Sequence, residues 1–331
     1  MNEPLPSIST IGKLTGPGGR PHLRRAVSRR LGVTIGLVAG VALFGSPRSG
    51  VADGRSTVRG TERVVGEEEG LLDSFRGLSR KLRARILSPR HAAGLPILRQ
   101  LFGDSASRHP GVYAADASVS FHFITMRPFA DKVLGRIGAY RIGFFPNERT
   151  AAASGPKANP EGFIEVTAAN QHTSVSEHFE LRDFLTHDQE KVWPKYLVLR
   201  EPLLDKLELV ITELTRMGVP ANRLRVMSGF RTPQYNALGV GAGGRVKDSR
   251  HQYGDAADVY VVNGTRDWMS DLNGDGRVDL ADARVLAMAA DRVEQRHPEL
   301  VGGVGLYPAT SIHGPFVHID VRGQRSRWGG L

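Results

Sequence analysis

Ser249-Arg250-His251-Gln252-Tyr253-Gly254-Asp255-Ala256-Ala257-Asp258 leads directly into Val259-Tyr260-Val261-Val262. The run from Ala256 onward has the β-branched content and length of a strand. It carries an acid, Asp258, inside an otherwise apolar stretch. A carboxylate there is costly unless it is paired, hydrogen-bonded or metal-bound. Gly254 lets the chain turn so that His251 can approach Asp258.

A second strand lies downstream, Phe316-Val317-His318-Ile319-Asp320-Val321. Period-two alternation sets Phe316, His318 and Asp320 on one face and Val317, Ile319 and Val321 on the other. Two strands bringing His and Asp to one cleft supply three ligands and leave a fourth position open, as in a catalytic zinc site. Ordinary polar residues at strand ends would read the same way, and the residues alone do not choose between the two. The chain has no cysteine, so any metal site must be built from His, Asp and Glu, and disulfides and a cysteine nucleophile are excluded.

Around these strands the pattern is α+β. Residues 203–218, LLDKLELVITELTRMG, predict an amphipathic helix ended by Gly218, with Leu203, Leu207, Val210, Ile211 and Leu214 on one stripe. Residues 222–231, NRLRVMSGFR, read as a strand running into a turn, and 174–189, SVSEHFELRDFLTHDQ, as a Ser-capped helix. Short β-like runs at 117–126, 140–146 and 162–170 suggest a small β-rich module over 111–170. The fold expected is a small antiparallel sheet with flanking helices, occupying 171–331 after that module. His122 has apolar neighbours and reads as structural. Residues 53–110 are rich in Arg, Gly, Ser and Pro and read as a basic linker or arm with short amphipathic helices and no chemistry.

Residues 1–52 read as an export address. A basic stretch, 20–30, precedes the uncharged run Leu31 to Gly45, and small residues follow. The run is short for a membrane-spanning helix. A cleaved signal peptide, with a twin-arginine form suggested by Arg29-Arg30, and an uncleaved anchor both remain open. Either places the body outside the cytoplasm, with membrane contact only through that segment.

Of the 331 residues, 40% are hydrophobic and 24% charged, which is enough for a packed core. The net charge of +10 points to a polyanionic partner. No nucleic-acid-binding motif is present and aromatics are 7%, which disfavours nucleic acid and leaves anionic lipid or a cell wall rich in carboxylates and phosphates.

The segment Ser249, His251, Gly254, Ala256, Asp258 (SxHxxGxAxD), followed by a strand bearing His318, resembles the zinc D-alanyl-D-alanine carboxypeptidase family, including its murein endopeptidase branch. The likeness covers about 170–331 with gaps. Ser228-Gly-Phe-Arg231-Thr-Pro-Gln-Tyr-Asn236 and His178-Phe-Glu-Leu-Arg-Asp-Phe-Leu-Thr-His-Asp-Gln189 also look like the endopeptidase branch. The resemblance implies hydrolysis of D-amino-acid-containing peptide bonds in peptidoglycan. His251, Asp258 and His318 would bind zinc, which would acidify a water and polarise the scissile carbonyl. Arg231 would steady the oxyanion. Ser249 would bond substrate or ligand, or cap a turn. Many members carry a general-base Glu three residues before the last ligand, and here that position is Pro315. His313 and Asp320 are the available replacements, with His313 ranked first and Asp320 as base or as orienter of His318. A wall-binding module without turnover is the rival reading.

Between the two strands, Asp271, Asn273, Asp275, Asp279 and Asp282 occupy positions 1, 3, 5, 9 and 12 of a loop. Gly276 sits at position 6, and Arg277 offers its carbonyl at position 7. The loop resembles an EF-hand calcium loop of dockerin type, and implies a structural calcium ion bracing the connection between the strands. A partner-docking scaffold is the weaker alternative, because dockerins normally carry two loops and one is visible.

Overall fold

Among the described residues, thirteen short strands and five α-helices carry the fold, whose centre is a five-stranded sheet in the order β13-β11-β12-β10-β9. Its strands are β9 (Arg223–Ser228), β10 (Ala256–Val262), β11 (Gly303–Tyr307), β12 (Phe316–Asp320) and β13 (Ser326–Trp328). All neighbours run antiparallel except β11 and β13. This is a computed structural model describing residues 74–114, 121–148, 155–241 and 243–330. The expected export address in 1–52 and residues 53–73 lie outside the described residues. No helix among the described residues is long and apolar enough to cross a membrane.

The amphipathic stripe at 203–218 forms α3 (Glu201–Arg216), with Pro202 in its first turn and Gly218 following it at φ +73°. Its buried face packs against α5 (Leu280–Arg296), which also lies on the sheet. One apolar core runs from Leu82 to Ile319 and includes Phe163, Leu207, Tyr253, Val259 and Leu286. Burial of such side chains is the main stabilising term.

That core removes the boundary expected at 170. β7 (Gly162–Val166) pairs with β8 (Lys195–Leu197), so a sheet bridges the supposed module and the supposed domain. The remaining small strands are β4 (Arg127–Pro128), which pairs with β7, and the hairpin of β5 (Arg136–Ile137) with β6 (Tyr140–Arg141).

The linker reading of 53–110 is also corrected over its described part. β1 (Ala84–Leu87) lies parallel to β3 (His122–Thr125), with β2 (Gly111–Ala114) on the other side of β3. Two helices follow β1, α1 (Pro89–Gly94), capped by Ser88, and α2 (Pro96–Ala106). Leu87, Leu98, Phe121 and Phe123 make a second apolar cluster. The basic composition hid this because the arginines are anchored to acids elsewhere. Arg85 pairs with Glu201 of α3. Asp205, 5% exposed, accepts from the backbone of Leu78 at 3.0 Å and Ser79 at 2.9 Å.

The helix expected over 174–189 is absent. Ser174 and Ser176 make isolated strand bridges to Glu180 and Leu82, and only Leu181–Phe184 forms a 3-10 turn. Long-range bonds take the place of helical ones. The buried Glu208 of α3 accepts from the His178 amide at 2.9 Å and bonds its ring Nδ1 at 2.7 Å. Tertiary partners override a weak local preference here.

All described residues belong to one compact unit, 55–331. A chain starting at residue 111 loses β1, the bonds of Leu78 and Ser79 to Asp205, and Leu87 and Leu98 of the second apolar cluster, which exposes the apolar surface they cover. Residues 55–331 are expected to melt cooperatively, and residues 111–331 to show neither a melting transition nor near-ultraviolet circular dichroism. Equal melting temperatures for the two would return 74–110 to the status of a linker.

Candidate metal centre

Asp258 and His318 face each other across the β10–β12 ladder as a register pair. On its other side Asp258 pairs with Ser228 at the end of β9, beside a register shift between Asp258 and Val259. His251 comes from the 3-10 turn Arg250–Tyr253, which ends at Gly254 with φ +68°. A Cβ at Gly254 would stand 2.3 Å from the carbonyl oxygen of Val198, so only glycine permits this turn against the neighbouring chain.

The three side chains converge. His251 Nε2 lies 3.2 Å from His318 Nδ1 and 3.2 Å from Asp258 Oδ1, and His318 Nδ1 lies 2.9 Å from that same oxygen. All three are buried, and among the described residues they form the one group of three or more His and acid side chains whose ligand atoms all lie within 4.8 Å of one another, a spacing that could hold a metal ion. Their spacing fits that role, since tetrahedral ligands about 2.1 Å from an ion stand roughly 3.4 Å apart. The outward nitrogens fit too. His251 Nδ1 bonds the Gly229 carbonyl at 2.7 Å and His318 Nε2 bonds Asp320 Oδ2 at 3.0 Å. Each bond holds a proton on the far nitrogen and leaves a lone pair facing the centre.

Electrostatics follow from this packing. Burial pushes the imidazole of His251 down. Burial acts the same way on His318, but the carboxylates of Asp258 and Asp320 outweigh it and raise that group. Burial would raise the Asp258 carboxyl, yet His251, His318 and Arg231 together hold it well below the usual carboxylate range. Asp320 is likewise lowered, because the bonds from His318 and Arg322 overcome its burial.

The centre opens on a groove of about 1260 Å³. Arg231 lines it, with Nε donating to Ser228 Oγ at 2.9 Å and Nη2 bonded to Asp258. Ser249 lines it as well. It is the N-cap residue of the 3-10 turn, but its side chain makes no capping bond, which removes the turn-cap reading. His313 lies on the same groove, its ring edge-on to Phe316 at 5.1 Å and its Nδ1 2.8 Å from the Gly314 carbonyl. Asp320 is fully buried and does not line the groove. Its oxygens are held by His318, the Gly303 amide at 2.7 Å and Arg322 Nε at 2.9 and 3.0 Å. The base reading of Asp320 is therefore corrected to that of orienter of His318. His122 lies away from this centre on β3, its ring lowered by burial.

Sequence reasoning missed several supports. Arg322 clamps Asp320, and Trp328 packs on His318 with centroids 5.2 Å apart. Tyr307 and Phe316 stack at 4.6 Å to form an aromatic wall. Arg322 sits two residues beyond Asp320 and was a legible signal. Trp328 was not, because it arrives on β13 through a parallel pairing.

The loop 271–282 closes on itself. Asp271 accepts from the amides of Gly274 and Gly276, both at 2.7 Å, and Asp275 Oδ1 accepts from the Arg277 amide at 2.8 Å. Asn273 Oδ1 accepts from the Asp275 amide at 3.0 Å. Asp279 caps α5, and the buried Asp282 accepts from the amides of Leu272 at 2.7 Å and Asp279 at 2.8 Å. Gly274 and Gly276 take left-handed conformations, as the sharp turn needs. Its acids do not gather into a second metal group among the described residues.

No family model matches this chain, and comparison with curated proteins and with solved structures found no match. The geometry thus stands on its own: a mixed α/β fold of small sheets and few helices carrying a buried His-Asp-His group. Asp320→Asn keeps the shape of the side chain and removes its charge, so metal affinity is expected to fall about 10–100-fold, and the melting temperature to fall with it because Arg322 loses its buried carboxylate partner. Competition with a chromogenic chelator reads this, and unchanged affinity would free Asp320 from the orienting role.

Proposed function

We propose that this chain is an exported zinc peptidase of the D-alanyl-D-alanine carboxypeptidase and murein endopeptidase class, acting on peptide bonds of peptidoglycan. The observation that carries the reading is the convergence of His251 Nε2, Asp258 Oδ1 and His318 Nδ1 at the floor of an open groove that also holds Arg231. Zinc held by those three supplies Lewis acidity for polarising a carbonyl and activating water.

The chain's own residues do the rest. The Arg231 guanidinium, fixed by Ser228 and Asp258, steadies negative charge on the scissile oxygen as the carbonyl becomes tetrahedral. His313 donates Nδ1–H to the Gly314 carbonyl, which leaves Nε2 as the acceptor for a proton from the attacking water and as its donor to the leaving amine. The Ser249 hydroxyl bonds the substrate backbone. Tyr307, Phe316 and Trp328 give the bound peptide an apolar wall. Export of the body follows from the address in 1–52.

One observation favours the rival reading of a binding module. Among the described residues the only acids lining the groove are Asp248 and Asp258, and both are paired with cations. Incubating the protein with zinc and isolated sacculi decides between them. Mass spectrometry is expected to find products from the wild type and none from His251→Ala. Loss of terminal D-alanine alone would mean a carboxypeptidase, and conversion of cross-linked dimers to monomers an endopeptidase. Arg231→Ala is expected to lower kcat about a hundred- to a thousandfold. No products from zinc-loaded wild type would leave the binding module.

The proposal extends to loop 271–282 as a structural calcium site. Asp271, Asn273, Asp275, Asp279 and Asp282 with the Arg277 carbonyl fit calcium by being oxygen donors around a glycine turn. Calcium at about ten times its dissociation constant is expected to stabilise the fold by about 1.4 kcal/mol, read as a rise in melting temperature. An unchanged melting temperature up to about 10 mM calcium sinks the site, since extracellular modules bind at about 0.1–1 mM.

A further inference from the structure

Five arginine and lysine side chains line the groove, Lys157, Arg231, Arg245, Arg250 and Arg322. Four of them are paired: Lys157 with Asp248, Arg231 with Asp258, Arg250 with Asp255 and Arg322 with Asp320. Arg245 alone of the five has no carboxylate partner among the described residues.

Its position is nonetheless built. The guanidinium stacks on the Tyr235 ring, 4.3 Å from its centroid, and Nη1 donates to the Tyr235 carbonyl at 2.6 Å. The stem lies over Gly239, where a Cβ would stand 2.4 Å from Arg245 Cδ, and the Arg245 amide bonds the Gly239 carbonyl at 2.9 Å. Beyond it, Asn236 Nδ2 ties the Val246 carbonyl at 3.0 Å. An arginine stacked and half-buried on a wall of a groove keeps its orientation and spends little of its donor capacity. Guanidinium offers five N–H donors, and the bond to Tyr235 uses one. Such a fork matches a carboxylate in two parallel bonds.

We propose that Arg245 selects the substrate, by binding a free carboxylate of the peptide that lies in the groove beside His251, Asp258 and His318. This rests on the peptidase reading and adds to it the chemistry of the ligand: an anionic peptide, held through a carboxylate remote from the scissile bond. A peptidoglycan stem carries free carboxylates at its C-terminus and on its γ-linked D-glutamate, and one fork serves one of them.

Three synthetic peptides separate the sources: L-Ala-γ-D-Glu-L-Lys-D-Ala-D-Ala as the free acid, its C-terminal amide, and the form with the D-glutamate α-carboxylate amidated. Calorimetric binding to the full chain with metal chelated reads affinity without turnover. Wild type is expected to bind the free acid about 10–100-fold more tightly than one of the two amides. Arg245→Gln should bind all three at the level of that weaker amide. Arg245→Lys should fall between, because an ammonium keeps the charge and loses the fork. Matching melting temperatures show that the variants are folded. On a hydrolysed substrate Arg245→Gln should raise KM with kcat unchanged, as loss of uniform binding does.

Equal binding of all three peptides by wild type, or a preference that survives Arg245→Gln, overturns the proposal. Sacculus hydrolysis with no carboxylate preference would refute Arg245 alone. A preference lost in Arg245→Gln, with no hydrolysis, would refute the peptidase reading and keep Arg245 as the ligand-binding residue. Binding of none of the three refutes the carboxylate role whatever the sacculi show.

Discussion

Antiparallel pairing between β10 and β12 sets Asp258 directly opposite His318, and the site depends on that register. A slip of one residue would turn each side chain to the other face of its strand. The apolar residues between the polar ones prevent such a slip. Val259, Val317 and Ile319 are buried in the core on the opposite face, so moving the polar residues would also expose these. Hydrophobic burial thus fixes the register, and the register fixes the ligand geometry.

Burying that much charge requires a surrounding network. Asp258 is balanced by two imidazoles and by Arg231. Asp320 is balanced by His318 and Arg322. Behind the sheet, the fully buried Lys206 of α3 donates to Glu294 of α5 at 2.6 Å and to the Asp320 carbonyl at 2.7 Å. Arg327 of β13 closes on Glu294 as well. Removing one partner from such a network leaves an uncompensated buried charge, so each element is tied to the others. The helix that follows loop 271–282 takes part in this tie, which links the loop mechanically to the back of the site.

The legible parts of the chain were those with strong local period. Residues 203–218 and 256–262 formed the expected helix and strand because each buries one continuous surface. The stretch 174–189 misled. Its apolar spacing suits a helix, but Glu208 and the 82–83 segment capture its backbone and His178. Residues 84–106 misled in the other direction, since arginines that pair with distant acids read as solvated charge.

From sequence alone came the identities: which His and Asp residues share a face, that no cysteine competes, and that Gly254 must turn the chain. These follow from residue type and short-range period. Tertiary structure alone decided which polar groups reach the groove. Asp320 and His313 were both candidate acceptors near His318, with His313 ranked first, and the Gly303 amide and Arg322 enclose Asp320 while His313 stays on the groove. No motif marks Arg245, whose place on the groove wall is set by Tyr235 and Gly239 beneath it. Pairings across tens of residues set those environments, and no local pattern encodes them.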